Sequence, residues 1–395
     1  MTGKIDTCSF CLKNKDNVNK LIVGTDVAIC NECVDLCSGL LQDKKSKIKK
    51  KSTALDPREI HEYLNHFVVG QEQAKIVLAV AISNHYKRVN AEEHTVEKSN
   101  ILMLGPTGTG KTLLAKTVAQ YLEVPFVIAD ATTLTEAGYV GDDVDSLITR
   151  LYTESGEDVE KTQRGIVFLD EVDKISRKSE SSTVSKDVSG EGVQQALLKL
   201  VEGTKCHITP PGSKKNANDT IEIDTTNILF IAGGAFVGLT DIIKKREQGT
   251  SMGFGATITT SSQANISAVT PDDLVKYGMI PEFVGRFSCI VGLENLNKEQ
   301  LIDILTAVKH NYVEQYQWLF DQDGVALTFS PESLELIAER TLKTHTGARG
   351  LHSELERVLM PHMYDLTQYR KNSILKVEIN KSQVNIPMTL LKENQ

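Results

Sequence analysis

From about residue 100 onward, short apolar runs alternate with amphipathic stretches. Ile101-Leu102-Met103-Leu104, Pro125-Phe126-Val127-Ile128, Ile166-Val167-Phe168-Leu169 and Ile228-Leu229-Phe230-Ile231 are continuous and apolar. Strands covered on both faces read this way. Helix-like spacing fills residues 113–122 and 193–201 between them. Strands alternating with helices predict an α/β fold with a mostly parallel sheet. The texture changes after residue 294. Asn297 followed by Gln300 marks a helix start, and a long helical stretch is expected beyond it. Ser330-Pro331 starts another helix, with proline in its first turn. A smaller, helix-rich C-terminal domain is the expectation, and there is no internal repeat at a fixed period.

Before residue 100 the pattern is different. Cys8-x2-Cys11 and Cys30-x2-Cys33 are separated by 18 residues. Two such pairs supply four soft thiolates, which is the ligand set of a closed, structural Zn²⁺ site. Two disulfides are the rival reading, and a reducing cytoplasm disfavours them. Cys37, Cys206 and Cys289 stand alone and read as small buried apolar residues. Six of the eight residues 44–51 are lysine, a solvated linker by composition. The expected organisation is a zinc-binding module at 1–43, a linker at 44–55, a large α/β domain at 56–294 and a small domain at 295–391.

The chain of 395 residues is too long for one ordinary core, in keeping with that division. Its net charge of −8 argues against generic binding to nucleic-acid phosphates. No apolar run reaches bilayer length, and the N-terminus opens polar without a signal-peptide core. A cytoplasmic location is expected.

The chemistry lies at the ends of two predicted strands. Gly105-Pro106-Thr107-Gly108-Thr109-Gly110-Lys111-Thr112 fits GxxxxGK[ST] between a strand and a helix. Such a loop rings phosphates with backbone N–H groups at a helix N-terminus. Lys111 would neutralise the β- and γ-phosphates of ATP, and the Thr112 hydroxyl would ligate Mg²⁺. The strand at 166–169 ends in Asp170-Glu171. Asp170 falls near Mg²⁺, and Glu171 is placed to activate water as the general base of hydrolysis.

Taken in order, the zinc module, Val69-Gly70-Gln71-Glu72-Gln73-Ala74, the phosphate loop, Val188-Ser189-Gly190-Glu191-Gly192-Val193-Gln194-Gln195 and Gly347-Ala348-Arg349-Gly350-Leu351 resemble the AAA+ family. Within it they resemble the ClpX unfoldases that feed the ClpP peptidase, over nearly the whole chain. The resemblance implies a homo-hexameric, ATP-driven unfoldase and translocase without a peptidase site of its own. It implies that Arg286 acts as an arginine finger on a neighbour's γ-phosphate. Arg349 would be the second sensor, and residues 68–71, Val69 among them, would meet adenine. Leu113 would follow the phosphate loop into the nucleotide site. Tyr139 and Val140 would grip substrate in the central pore, with a second pore loop at 181–187. Met252, Gly253 and Phe254 would dock on ClpP, and the zinc module would recruit substrates or adaptors. The first sensor has no evident residue. Gly212-Ser213-Lys214-Lys215-Asn216-Ala217-Asn218-Asp219 departs from the family's Arg-Lys-His pore entrance. A nucleic-acid motor on the same ATPase is the alternative. The acidic charge and the absence of a helix-turn-helix pattern weigh against it.

Overall fold

A computed structural model describes residues 6–25, 27–37, 55–91, 96–135, 142–177, 190–209, 220–249, 266–373 and 375–384. The chain forms two compact units, residues 1–54 and 55–395. In the first, Leu21–Val23 pairs antiparallel with Ala28–Cys30, and a helix at 31–37 follows at once. So small a unit has almost no apolar core, and among its described residues Cys8, Ala28 and Cys30 are the fully covered ones.

The second unit begins with α1 (Pro57–Asn65) and α2 (Glu72–Asn90). Next come β1 (Ile101–Leu104), α3 (Lys111–Leu122), β2 (Phe126–Asp130), β3 (Ile166–Asp170), α4 (Gly190–Glu202), β4 (Leu229–Gly234) and β5 (Cys289–Gly292). The five strands form one parallel sheet in the order β5-β1-β4-β3-β2. Alternation along each strand sends side chains to opposite faces. Leu102, Leu104, Val167, Leu169 and Phe230 join the core on one face, with α4. Ile101, Met103, Ile166, Phe168 and Ile231 join the core on the other, with α1, α2 and α3. Both faces are therefore covered, which explains the continuous apolar runs. The fifth strand, β5, was not legible in the sequence.

A third core lies beyond residue 295, among α5 (Lys298–Thr306), α6 (Tyr312–Gln322), α7 (Pro331–Thr344) and α8 (Arg349–Lys371). Asn297 caps α5 by accepting from the Gln300 N–H at 2.8 Å, and the Gln300 side chain returns the contact. Ser330 caps α7, with Pro331 at its first position. The expected long stretch after Asn297 is broken in two. Asn311 starts α6 by accepting from the Glu314 N–H at 2.8 Å, so its side chain ends one helix path and begins another. Ala326–Phe329 and Lys376–Ile379 add a short parallel pair. Among the described residues no helix is long and apolar enough to cross a membrane.

Candidate active site

The phosphate loop leaves β1 at Leu104 and turns into α3 at Lys111. Gly105 N–H donates to the Gly234 carbonyl at 3.2 Å, tying the loop's start to β4. Lys111 is buried, and its Nζ donates to the carbonyls of Gly105 at 2.6 Å and Pro106 at 2.9 Å. The Thr109 hydroxyl reaches the same Pro106 carbonyl at 2.8 Å. An ammonium has three donors, so two loop carbonyls do not exhaust it. Burial holds Lys111 below the ordinary lysine pKa, while the Asp170 and Asp173 carboxylates pull it upward. An arriving polyphosphate would strengthen that upward pull.

At the end of β3, Asp170 accepts from the Thr112 hydroxyl at 3.2 Å. Adjacent ligands on an octahedral Mg²⁺ lie about 3 Å apart, so two hard oxygens at this spacing suit one edge of such a shell. Glu171 follows in the left-handed region, φ 56°, with its N–H on Asp170 Oδ1 at 2.9 Å. That conformation is uncommon for a residue with a side chain and marks a position where strain is tolerated. It places an exposed carboxylate beside Asp170 on the wall of a cavity of about 510 Å³. Thr107, Gly108, Gly110, Lys111, Thr112 and Leu113 line the same cavity.

The same cavity reaches the helical region. Arg349 opens α8 and lines it. A cation at the positive end of a helix is unfavourable by itself, and an anion between the two would reverse that. The junction is tight. Gly108, at φ 77°, lies against Thr346 and Gly347, where a Cβ would come within 2.3 Å of the Thr346 carbonyl. Its own carbonyl accepts from the Ala348 N–H at 3.0 Å. An adjoining apolar cavity of about 340 Å³ is lined by Val68, Val69, Thr109, Ile304 and Val308, with Tyr312 and Ala348 on the walls of both.

Asp173 and Tyr312 are among the lining residues that escaped sequence reading. Asp173 is buried, lines the larger cavity, and accepts from the Ala235 N–H at 3.1 Å, joining the ends of β3 and β4. Its signal was the third carboxylate of Asp170-Glu171-Val172-Asp173. Tyr312 had no local signal, because it enters the site only through the fold.

Arg286 is elsewhere. Its Nε donates to Glu202 at 2.7 Å, and it is not among the residues lining either cavity. Tyr139, Val140, Met252, Gly253 and Phe254 lie outside the described residues, as do 44–51, 181–187 and 212–219.

In the N-terminal unit the Sγ atoms of Cys8, Cys11, Cys30 and Cys33 all fall within 4.8 Å of one another. Cys8 lies 3.9 Å from Cys33 and Cys11 3.6 Å from Cys30. Thiolates 2.3 Å from one Zn²⁺ stand about 3.8 Å apart at tetrahedral edges, whereas a disulfide needs about 2.05 Å. The four sulfurs thus fit a shared ion, and all four cysteines are free. The Cys30 N–H donates to Cys8 Sγ at 3.3 Å, the kind of contact that steadies a thiolate ligand.

Comparison with known proteins agrees with this geometry. Residues 96–290 match the AAA domain (Cdc48 subfamily), residues 6–43 the ClpX C4-type zinc finger, and residues 296–377 the C-terminal D2-small domain of ClpB protein. A relative from Treponema denticola, the ATP-dependent Clp protease ATP-binding subunit ClpX, is 47% identical over 370 residues. The alignment covers 91% of this chain and 89% of that one. The chain belongs to the ClpX family. As a ClpX-family AAA+ ATPase it uses ATP with Mg²⁺ and carries Zn²⁺ in its N-terminal module.

Proposed function

We propose that the chain is an unfoldase and translocase that works as a homo-hexamer in the cytoplasm and passes substrate proteins to a ClpP peptidase. The observation that carries this reading is one cavity shared by Lys111, Thr112, Asp170, Glu171 and Arg349, in a chain of this family. In this reading the loop from Gly105 to Thr112 holds the phosphates of ATP, with Lys111 as counter-charge. Thr112 and Asp170 hold Mg²⁺, which supplies charge neutralisation on the β- and γ-phosphates when bound. Glu171 orients water and takes its proton. Val69 and Leu113 meet the base and its surroundings, and Arg349 reports phosphate charge to α8. Arg286 serves the site of the adjacent subunit. Residues 56–294 and 295–391 act as the large and small domains of the motor, whose relative rotation delivers work.

The remaining roles rest on the family pattern. Tyr139 and Val140 grip polypeptide by contact area, a mode indifferent to sequence. Met252, Gly253 and Phe254 dock on ClpP, where a Phe and a Met would gain burial. The zinc module, 1–43 with its 44–55 linker, recruits substrates or adaptors. The deciding experiment is degradation of a tagged, folded protein by this chain with a cognate ClpP, with and without ATP. Stimulation of ATPase activity by DNA and not by unfolded protein would favour the nucleic-acid motor instead.

A further inference from the structure

The six residues 66–71 join the sheet region to the helical region at several points. The His66 carbonyl accepts from the Lys309 N–H at 2.8 Å, beyond the end of α5. Gly70, at φ 65°, sits against Gln300, and a Cβ there would come within 2.3 Å of its side-chain nitrogen. That side chain cannot simply swing away, because Gln300 Oε1 accepts from the Asn297 N–H at 3.0 Å in the cap of α5. The third point is Gln71. Its Nε2 donates to the Glu294 carbonyl at 2.8 Å, and its Oε1 accepts from the Glu294 N–H at 3.0 Å. One carboxamide thus holds both backbone groups of one residue, as a neighbouring strand would.

Glu294 is where the chain leaves the sheet. The preceding Leu293 N–H still pairs with the Leu104 carbonyl of β1 at 2.7 Å, and Leu296 already belongs to the third core. Gln71 also occupies the N-cap position of α2 in the left-handed region, without a side-chain capping bond, and its carbonyl accepts from the Lys75 N–H at 2.9 Å, so the helix behind it fixes its position. Immediately before it, Val68 and Val69 line the apolar cavity.

We propose that the Gln71 carboxamide is a clasp that sets the resting angle, in the nucleotide-free chain, at which the helical region leaves the sheet. By doing so it positions the two walls of the nucleotide site against each other. Only a side chain with a donor and an acceptor on one rigid plane, at this length, can make both contacts. The link to nucleotide rests on the proposed function, whereas the clasp itself is independent of it.

The test uses the full chain with donor and acceptor dyes on non-natural amino acids at Glu157 and Gln368, both exposed. Gln71→Met keeps the length and removes both bonds. Gln71→Glu keeps the acceptor but sets a carboxylate against the Glu294 carbonyl. Without nucleotide, both variants are expected to broaden the dye-distance distribution while the melting midpoint stays near that of the parent. Affinity for a fluorescent Mg-ATP analogue should fall about fivefold, as the loss of two partly exposed hydrogen bonds predicts. An unchanged distance distribution in both variants overturns the clasp. A broadened distribution with parental affinity overturns its link to the nucleotide site. A parent chain that fails to bind Mg-ATP overturns the proposed function, and the distance measurement then still decides the clasp.

Discussion

Asp170 and Glu171 are neighbours in sequence with different surroundings. Asp170 is half-buried and accepts from Thr112 and from the Glu171 N–H, whereas Glu171 is exposed on the cavity wall. Division of labour follows: the satisfied carboxylate suits a fixed ligand, and the unburdened one suits proton transfer. Replacing Glu171→Gln should lower ATP turnover by at least about 100-fold and leave Mg-ATP affinity within about twofold. Rapid hydrolysis by that variant, measured by phosphate release, would remove Glu171 from the role. This pair was legible in the sequence because the chemistry is written in adjacent letters at the end of an apolar strand. Gln71 was not. Its partner Glu294 is 223 residues away, and a glutamine after a glycine carries no local sign of a distant backbone partner. A second residue-scale expectation concerns His85. Burial, with Arg88 and Lys98 nearby, pushes its imidazole down to about 3. Its Nε2 lies 3.2 Å from the Asn227 carbonyl. The unfolded chain takes that proton near pH 6.5, so between about pH 6.5 and 3 it binds more protons than the folded one. Stability therefore rises with pH across this window and is lost on acidification, by up to ~1.4 kcal/mol per pH unit. His85→Gln, whose amide can still donate to Asn227, should flatten the melting midpoint between about pH 5 and 6.5. A slope equal to the parent's would show that other groups set the acid sensitivity.

Elements were legible to the degree that their neighbours were local. The strands β1, β3 and β4 are covered on both faces, so hydrophobicity alone outlines them. The strand β5 lies at the sheet edge with only Val291 fully buried, and Cys-Ile-Val-Gly is too short and mixed to declare itself. Likewise Ala307-Val308-Lys309-His310 contains neither Gly nor Pro, so the break between α5 and α6 was hidden until Asn311 was seen capping. The zinc module is the opposite case, since cysteine spacing announced an element that has hardly any apolar core. Its hairpin and helix are held where Cys8, Cys11, Cys30 and Cys33 converge. Metal binding and folding should then be one event. Chelation, or Cys30→Ser, is expected to unfold the module while basal ATPase activity stays within about twofold, because residues 55–395 form a compact unit of their own. Loss of the module's circular-dichroism signal in step with loss of ATPase activity would show that the two units fold together.

At the scale of the assembled molecule, Arg286 is the informative residue. Within its own chain it pairs with Glu202, through Nη2 at 2.6 Å and Nε at 2.7 Å, with both side chains substantially exposed. An exposed pair of this kind contributes about 1 kcal/mol or less, so a phosphate on an adjoining subunit can draw the guanidinium away at small cost. The proposed function gives Arg286 a part in catalysis, yet the cavities of its own chain are lined by others. The proposed action across a subunit boundary would reconcile the two. Arg286→Ala and Glu171→Gln rings should each be nearly inactive alone. In a ring assembled from a 1:1 mixture, a site becomes whole where an intact Glu171 meets an intact Arg286 on the neighbour. Random assembly makes about a quarter of sites whole, so ATPase activity should return to about that fraction of the parent's. If Arg286 served its own chain's site, every site in the mixture would lack one of the two groups. Mixing would then restore nothing.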